Sequence, residues 1–116
     1  MRLAFALAAA GAAAAFLPGA AEARAARCVV VSNGMPTYRG PCNFIPDGGG
    51  SFTIAPPRGR LFPGDVTGIS VTLEETGVAQ VYGLTPRGVA SRWGTAVRSR
   101  RDRACWNGPD FSICAY

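Results

Sequence analysis

Four cysteines, Cys28, Cys42, Cys105 and Cys114, constrain this chain more than any other feature, because any pairing among them cross-links a polypeptide too short to bury a large core. All four lie beyond an apolar run from Leu3 to Leu17, which follows Met1-Arg2 and gives way to Pro18-Gly19 and then Ala21-Glu22-Ala23. A basic start, an apolar stretch too short to cross a bilayer and an Ala-x-Ala terminus predict a helical signal peptide over residues 1–23, cleaved after Ala23. Arg27 precedes Cys28 after Ala25-Ala26, so the pattern for lipid attachment is missing, and no transmembrane anchor is expected after cleavage. Residues 24–116 then make one domain in an oxidising compartment, periplasmic or extracellular, where two disulfides supplement a small core.

Zinc and thiol redox chemistry are the other common uses of four cysteines. Both favour close C-x-x-C pairs, whereas the gaps here are fourteen and nine residues, and the chain has no histidine. Neither a metal nor a cofactor is expected.

After the leader, period-two alternation broken by Gly and Pro prevails, and no stretch repeats its apolar residues at helical spacing. The fold class is therefore all-β, a small antiparallel barrel or sandwich of seven or eight short strands, with closure into a barrel the favoured way to hide sheet edges. Asn33-Gly34 predicts a type I′ turn joining Cys28–Ser32 to Met35–Arg39. Phe52-Thr53-Ile54 is a short strand, and Ala55 to Asp65, rich in Pro and Gly, is a connector. Along Gly68–Glu74, Ile69, Val71 and Leu73 face the core while Ser70, Thr72 and Glu74 face out. Val78–Leu84 follows, then Val89–Val97, in which Val89, Trp93 and Val97 are expected inside, with Arg92 and Arg98 on the opposite face. Ala104–Asn107 and Phe111–Tyr116 complete the set.

The last hairpin predicts its own cross-link. If it turns at Pro109-Asp110, Cys105 faces Cys114 and Trp106 faces Ile113; Ala104, Trp106, Phe111 and Ile113 share one apolar face, and the cysteines share the other. Cys28 is left for Cys42, although the Asn-Gly turn sets Cys28 against Arg39, so the chain is expected to bend back at Gly40-Pro41.

Without His or Lys, the Ser-His-Asp, Cys-His and Ser-Lys nucleophile systems cannot be assembled from this chain, and an enzyme is not expected. A carboxylate pair drawn from Asp47, Asp65, Glu74, Glu75, Asp102 and Asp110 is the one remaining catalytic arrangement, and each has a plainer role: Asp47, Asp65 and Asp110 in turns, Glu74 and Glu75 at a strand end, and Asp102 inside an arginine cluster. All twelve basic residues are Arg, and the net charge is +5. Four of them fall within Arg98-Ser99-Arg100-Arg101-Asp102-Arg103, just before Cys105-Trp106. Guanidinium groups suit bidentate recognition of carboxylate and phosphate, and Trp93 or Trp106 can add a stacking surface. Arg98, Arg100, Arg101, Arg103 and Trp106 are thus candidate contacts for an acidic protein, a glycan or an anionic membrane surface; nucleic acid is not an expected partner outside the cell. The plainer reading is a solvated loop in which Asp102 balances its neighbours. The functional expectation is a non-catalytic binding or structural module. An inhibitor of a hydrolase such as lysozyme is the alternative, weakened because lysozyme is itself basic, and a carboxylate-dependent enzyme comes third.

Gly40-Pro41-Cys42-Asn43, Gly50-Ser51-Phe52-Thr53-Ile54 and the ending Ala104-Cys105-Trp106 with Ile113-Cys114-Ala115-Tyr116 resemble a family of small exported, cysteine-bridged proteins of alphaproteobacteria whose function is uncharacterised. Arg without Lys, amid abundant Ala and Gly, fits a GC-rich bacterial source. The shared motifs mark turns and cysteine-bearing strands, so the resemblance implies fold and disulfides and not an activity. Some members carry histidines in the segment matching Ser91-Arg92-Trp93; this chain has none there, so any metal role of that segment does not carry over.

Overall fold

Alternating apolar residues in short strands bury one face either by stacking two sheets or by curling one sheet around itself, and here the sheet closes completely. The structure, a computed structural model, describes residues 22–116. The expected leader lies outside the described residues apart from Glu22 and Ala23, and the first strand starts directly after them. The strands are β1 (Arg24–Ser32), β2 (Tyr38–Gly48), β3 (Ser51–Ala55), β4 (Gly68–Glu75), β5 (Val78–Leu84), β6 (Ala90–Arg98), β7 (Cys105–Asn107) and β8 (Phe111–Ala115). Each pairs antiparallel with the next, and β8 returns to β1 from Cys28↔Ala115 to Ser32↔Phe111, so the barrel is closed.

Eight strands enclose a space just wide enough for side chains to fill. Ile54, Ile69, Val71, Val81 and Ile113 fill its middle and are fully buried. On β4 to β6 the outer face carries a polar network: the Gln80 side-chain amide donates to Glu74 Oε1 (3.0 Å) and Thr95 Oγ1 (2.7 Å), and Arg92 Nη2 donates to Gln80 Oε1 (3.1 Å). The interior, filled with apolar side chains, differs from the polar interior of a membrane-spanning barrel. Among the described residues no helix is long and apolar enough to cross a membrane.

Both expected disulfides are present, Cys28–Cys42 and Cys105–Cys114. The last hairpin has the expected register, Cys105↔Cys114, Trp106↔Ile113 and Asn107↔Ser112, with the cysteines buried on the outer face of the sheet and Trp106 and Ile113 in the core. The first hairpin differs from expectation. Gly34 has φ +80° but Asn33 is not left-handed, and the Met35 amide donates to the Ser32 carbonyl (3.0 Å), which is the pattern of a type II turn rather than type I′. The connection is longer, β2 begins at Tyr38, and the register moves by one residue so that Cys28 faces Gly40. Cys42 is then the diagonal neighbour of Cys28, with Cα atoms 5.8 Å apart, and β2 runs straight through Gly40-Pro41 instead of bending back. Pro41 is tolerated because Arg27, opposite it, exchanges both backbone bonds with Tyr116. The donor that proline lacks therefore faces away from β1, over a stretch where β3 has not yet begun to pair.

A second correction concerns β6. Val81 faces Gly94 but Tyr82 faces Arg92, so Trp93 is the extra residue of a bulge. The bulge reverses the inside-outside order beyond it: Ala96 is buried and Val97 is 56 % exposed, while Val89 lies before the strand and is exposed too. Trp93 does pack against the core, over Gly83, where a Cβ would sit 2.6 Å from its Nε1.

The connector between β3 and β4 is not a passive link. Phe62 and Val66 form a two-way backbone bridge (2.9 and 3.2 Å) around Pro63-Gly64-Asp65. The loop turns Phe62 into one end of the barrel, 1 % exposed and edge-on to Tyr38 at 4.9 Å.

Candidate functional site

The end of the barrel opposite Phe62 has no such plug. It is bordered by the β2–β3 turn at Gly49-Gly50, the β4–β5 turn at Thr76-Gly77 and the longer β6–β7 loop, Ser99 to Ala104. Gly48, Gly49 and Gly50 are all left-handed (φ +96°, +64° and +92°), a run suited to glycine, and they bring no side chain over the opening. A hollow of about 290 Å³ remains, lined by inward residues of the strand ends: Phe44, Phe52, Leu73 and Trp106 below, with Arg24, Arg98 and Arg103 around them. Among the described residues, none of those lining it is acidic.

Two of the arginines lie against aromatic rings. The Arg24 guanidinium sits 4.3 Å above the Phe44 centroid, and Phe44 in turn stacks on Phe52 at 4.9 Å. Arg98 lies 5.7 Å from the Trp106 ring, and its Nε donates to the Arg103 carbonyl (2.8 Å). Each such contact is worth about 0.5–1 kcal/mol at an exposed site, enough to bias the side chains toward one pose while leaving the terminal nitrogens free to donate.

The β6–β7 loop that carries the arginine run is bonded internally. Ser99 Oγ accepts from the amides of Arg101 and Asp102 (both 3.1 Å), and the Ser99 amide donates to the Cys105 carbonyl (2.9 Å). Asp102 does not spend its carboxylate on the neighbouring guanidiniums: Oδ1 accepts from the Ala104 amide (3.1 Å) and Oδ2 from the Tyr116 hydroxyl. That bond, then desolvation, then the Asp102 charge hold the Tyr116 phenol above its ordinary value near 10, against an opposing pull from Arg39. The Cys105–Cys114 bridge lies beside this contact, with Cys105 Sγ 3.6 Å from the Tyr116 hydroxyl.

Of the residues singled out in the sequence, Arg98, Arg103 and Trp106 meet at the opening. Arg100 lines a second hollow of about 290 Å³ on the outer side of Arg98 and Arg103, beside Gly77, Val78 and Val97, and Arg101 is exposed and not part of the mouth lining. Arg24, Phe44, Phe52 and Leu73 are site residues that the sequence reading did not single out. The signal for Phe44 was its two-residue spacing from Cys42, hidden by ending the second strand at Arg39. The six carboxylates are dispersed between the two ends, with Asp47, Glu74, Glu75 and Asp102 near the open one and Asp65 and Asp110 in loops of the plugged one. Asp47 accepts from Thr53 Oγ1 (2.8 Å) and Glu74 from Gln80. Among the described residues no three acidic or cysteine side chains gather as a metal site would require. No protein family model, curated protein or solved structure matches the chain.

Proposed function

We propose that the chain is an exported, non-catalytic binding module whose anionic partner is received at the open end of the barrel. Two structural disulfides favour an oxidising location outside the cytoplasm, periplasmic or extracellular. The observation that carries the reading is the composition of the mouth: three guanidinium groups, two of them set against aromatic rings, over an apolar floor with no carboxylate among the lining residues. Uncompensated guanidiniums with free terminal donors attract carboxylate, sulfate or phosphate and bind them through paired hydrogen bonds.

The test uses two variants of equal charge change. Arg98→Ser with Arg103→Ser alters the mouth; Arg100→Ser with Arg101→Ser alters only its surroundings. Retention on heparin and on anionic vesicles is then compared by the salt needed for elution. The mouth variant is expected to elute at distinctly lower salt than the outer variant. Equal loss from both means that only net charge attracts the anion, and the reading fails.

A further inference from the structure

We propose that the ligand of this mouth is a small amphiphilic monoanion, a carboxylate on an unbranched hydrocarbon tail, with its head among Arg24, Arg98 and Arg103 and its tail on Phe44, Phe52 and Leu73. This rests on the reading of the open end as an anion site and narrows it from anions in general to one chemical class.

Three observations select that class. The first is the division of the mouth into two chemistries. A polyanion running across the rim satisfies the guanidiniums but leaves the half-buried Phe44 and Leu73 side chains, the part of the floor that Phe52 and Trp106 do not already bury, in water, and a neutral hydrocarbon covers them but leaves the guanidinium donors desolvated and unmatched. Only a molecule with both parts matches both surfaces. The second is size. About 290 Å³ lies at the low end of small-molecule sites, which run from roughly 300 to 1,000 Å³. The barrel below is filled by Ile54, Ile69, Val71, Val81 and Ile113, so no tunnel continues inward and a long tail has nowhere to go. The third is the pose of the arginines. Arg24 and Arg98 each turn a guanidinium toward a ring, and Arg98 has its Nε committed to the Arg103 carbonyl. The paired terminal nitrogens that remain suit a planar two-oxygen head.

The test is calorimetric titration of the oxidised protein with acetate, butanoate, hexanoate and octanoate as monomers, and with octylamine as the amphiphile of opposite charge. Affinity is expected to rise by between about two- and fourfold per added methylene, fourfold corresponding to complete burial. Octylamine is expected not to bind, and Arg24→Gln with Arg98→Gln is expected to weaken octanoate at least tenfold while leaving the far-ultraviolet dichroism unchanged. If that variant does not fold, displacement of octanoate from the unaltered protein by chloride and by sulfate supplies the same test of the head. Binding without dependence on tail length, or equal binding of octylamine, overturns the proposal. The heparin comparison run on the same preparations separates the two failures: if the mouth variant still elutes early, the anion site stands and only the amphiphile is lost; if it does not, both fall.

Discussion

The two ends of the barrel are built from the same strands and both present aromatic rings, yet one is plugged by a side chain of the protein's own loop and the other is not. At the plugged end the long β3–β4 connector delivers Phe62 against Tyr38, ring edge to ring face, and the Phe62 ring is fully buried, with a hollow of about 220 Å³ left beside it between Val30, Met35, Pro63 and Trp93. At the open end two of the three turns are short and glycine-bearing, Gly48 to Gly50 and Thr76-Gly77, and the rings of Phe44 and Phe52 are capped instead by the Arg24 guanidinium. Loop content therefore separates structure from function in this fold. A side chain inserted by the protein's own loop becomes core, and the same kind of aromatic surface left under a movable cation becomes a site that a ligand can share.

The comparison is broken most severely by removing the plug. Phe62→Ala deletes a fully buried ring and is expected to cost about 3–5 kcal/mol, lowering the thermal midpoint by more than about 10 °C. Wherever the variant remains folded, salt elution from heparin should match the parent, because nothing at the open end has changed. A shift in elution equal to that of the mouth variant would show that the two ends are not independent.

The disulfides sharpen the comparison, because one belongs to the core and the other to the open end. Cys28 and Cys42 point into the barrel and pack in its core; Cys105 and Cys114 lie on its outer face and clamp β7, a three-residue strand held to β6 by only two residue pairs. Replacing Cys28 and Cys42 by Ala is expected to cost about 3 kcal/mol in loop closure and about 1 kcal/mol more for the space left by two buried sulfurs. Replacing Cys105 and Cys114 by Ser closes a shorter loop and should cost about 2.5 kcal/mol. The smaller loss should carry the larger functional effect, since β7 holds Trp106 in the floor and starts where the arginine loop ends. Denaturant melts give the first ordering and heparin elution gives the second. Mild thiol treatment followed by alkylation should find Cys105 and Cys114 labelled first, because local opening of β7 exposes them while the inner pair requires the barrel to open.

How much of this was legible beforehand follows the range of the interactions involved. The alternation of Ile69, Val71 and Leu73 and the register of Cys105 against Cys114 are local, and both could be read directly. The pairing of Cys28 with Cys42 came out correctly by elimination, but its register did not, because Asn33 declines the left-handed conformation that Asn-Gly usually adopts in a hairpin. One extra residue at Trp93 sent Val97 outward, an error inherent in counting by twos through a bulge. Phe62 looked like part of a connector, since nothing in Arg60-Leu61-Phe62-Pro63 says which end of a barrel it will meet. At the mouth, Arg98, Arg103 and Trp106 were adjacent in sequence and visible; Arg24 and Phe44 reach it only through the β1–β2 register, and Phe52 and Leu73 through the closure of the sheet.

The smallest expected effect tests whether the arginine loop is held or merely parked at the open end. Tyr116 donates to Asp102, and its phenol is raised above the ordinary value near 10 chiefly by that bond. A phenol whose folded pKa is raised stays neutral over a wider range in the folded protein than in the unfolded chain. Its contribution to stability is therefore complete below pH about 10 and is lost as pH rises through the higher folded value. Tyr116 is an exposed residue, so the change should be slight in a melt and clearer by phenolate absorbance. The parent minus Tyr116→Phe difference should titrate above the ordinary value, and Asp102→Asn should bring it back down toward the ordinary value, with desolvation still outweighing the pull of Arg39. Asp102→Asn should also let the loop loosen, with a small decrease in the salt needed for elution from heparin. Should the Tyr116 phenolate appear at the ordinary pH in the parent, the tie to Asp102 does not hold in solution, and the ordering of the open end rests on the bonds within the loop, at Ser99, Arg98 and Ala104, and on the outer disulfide.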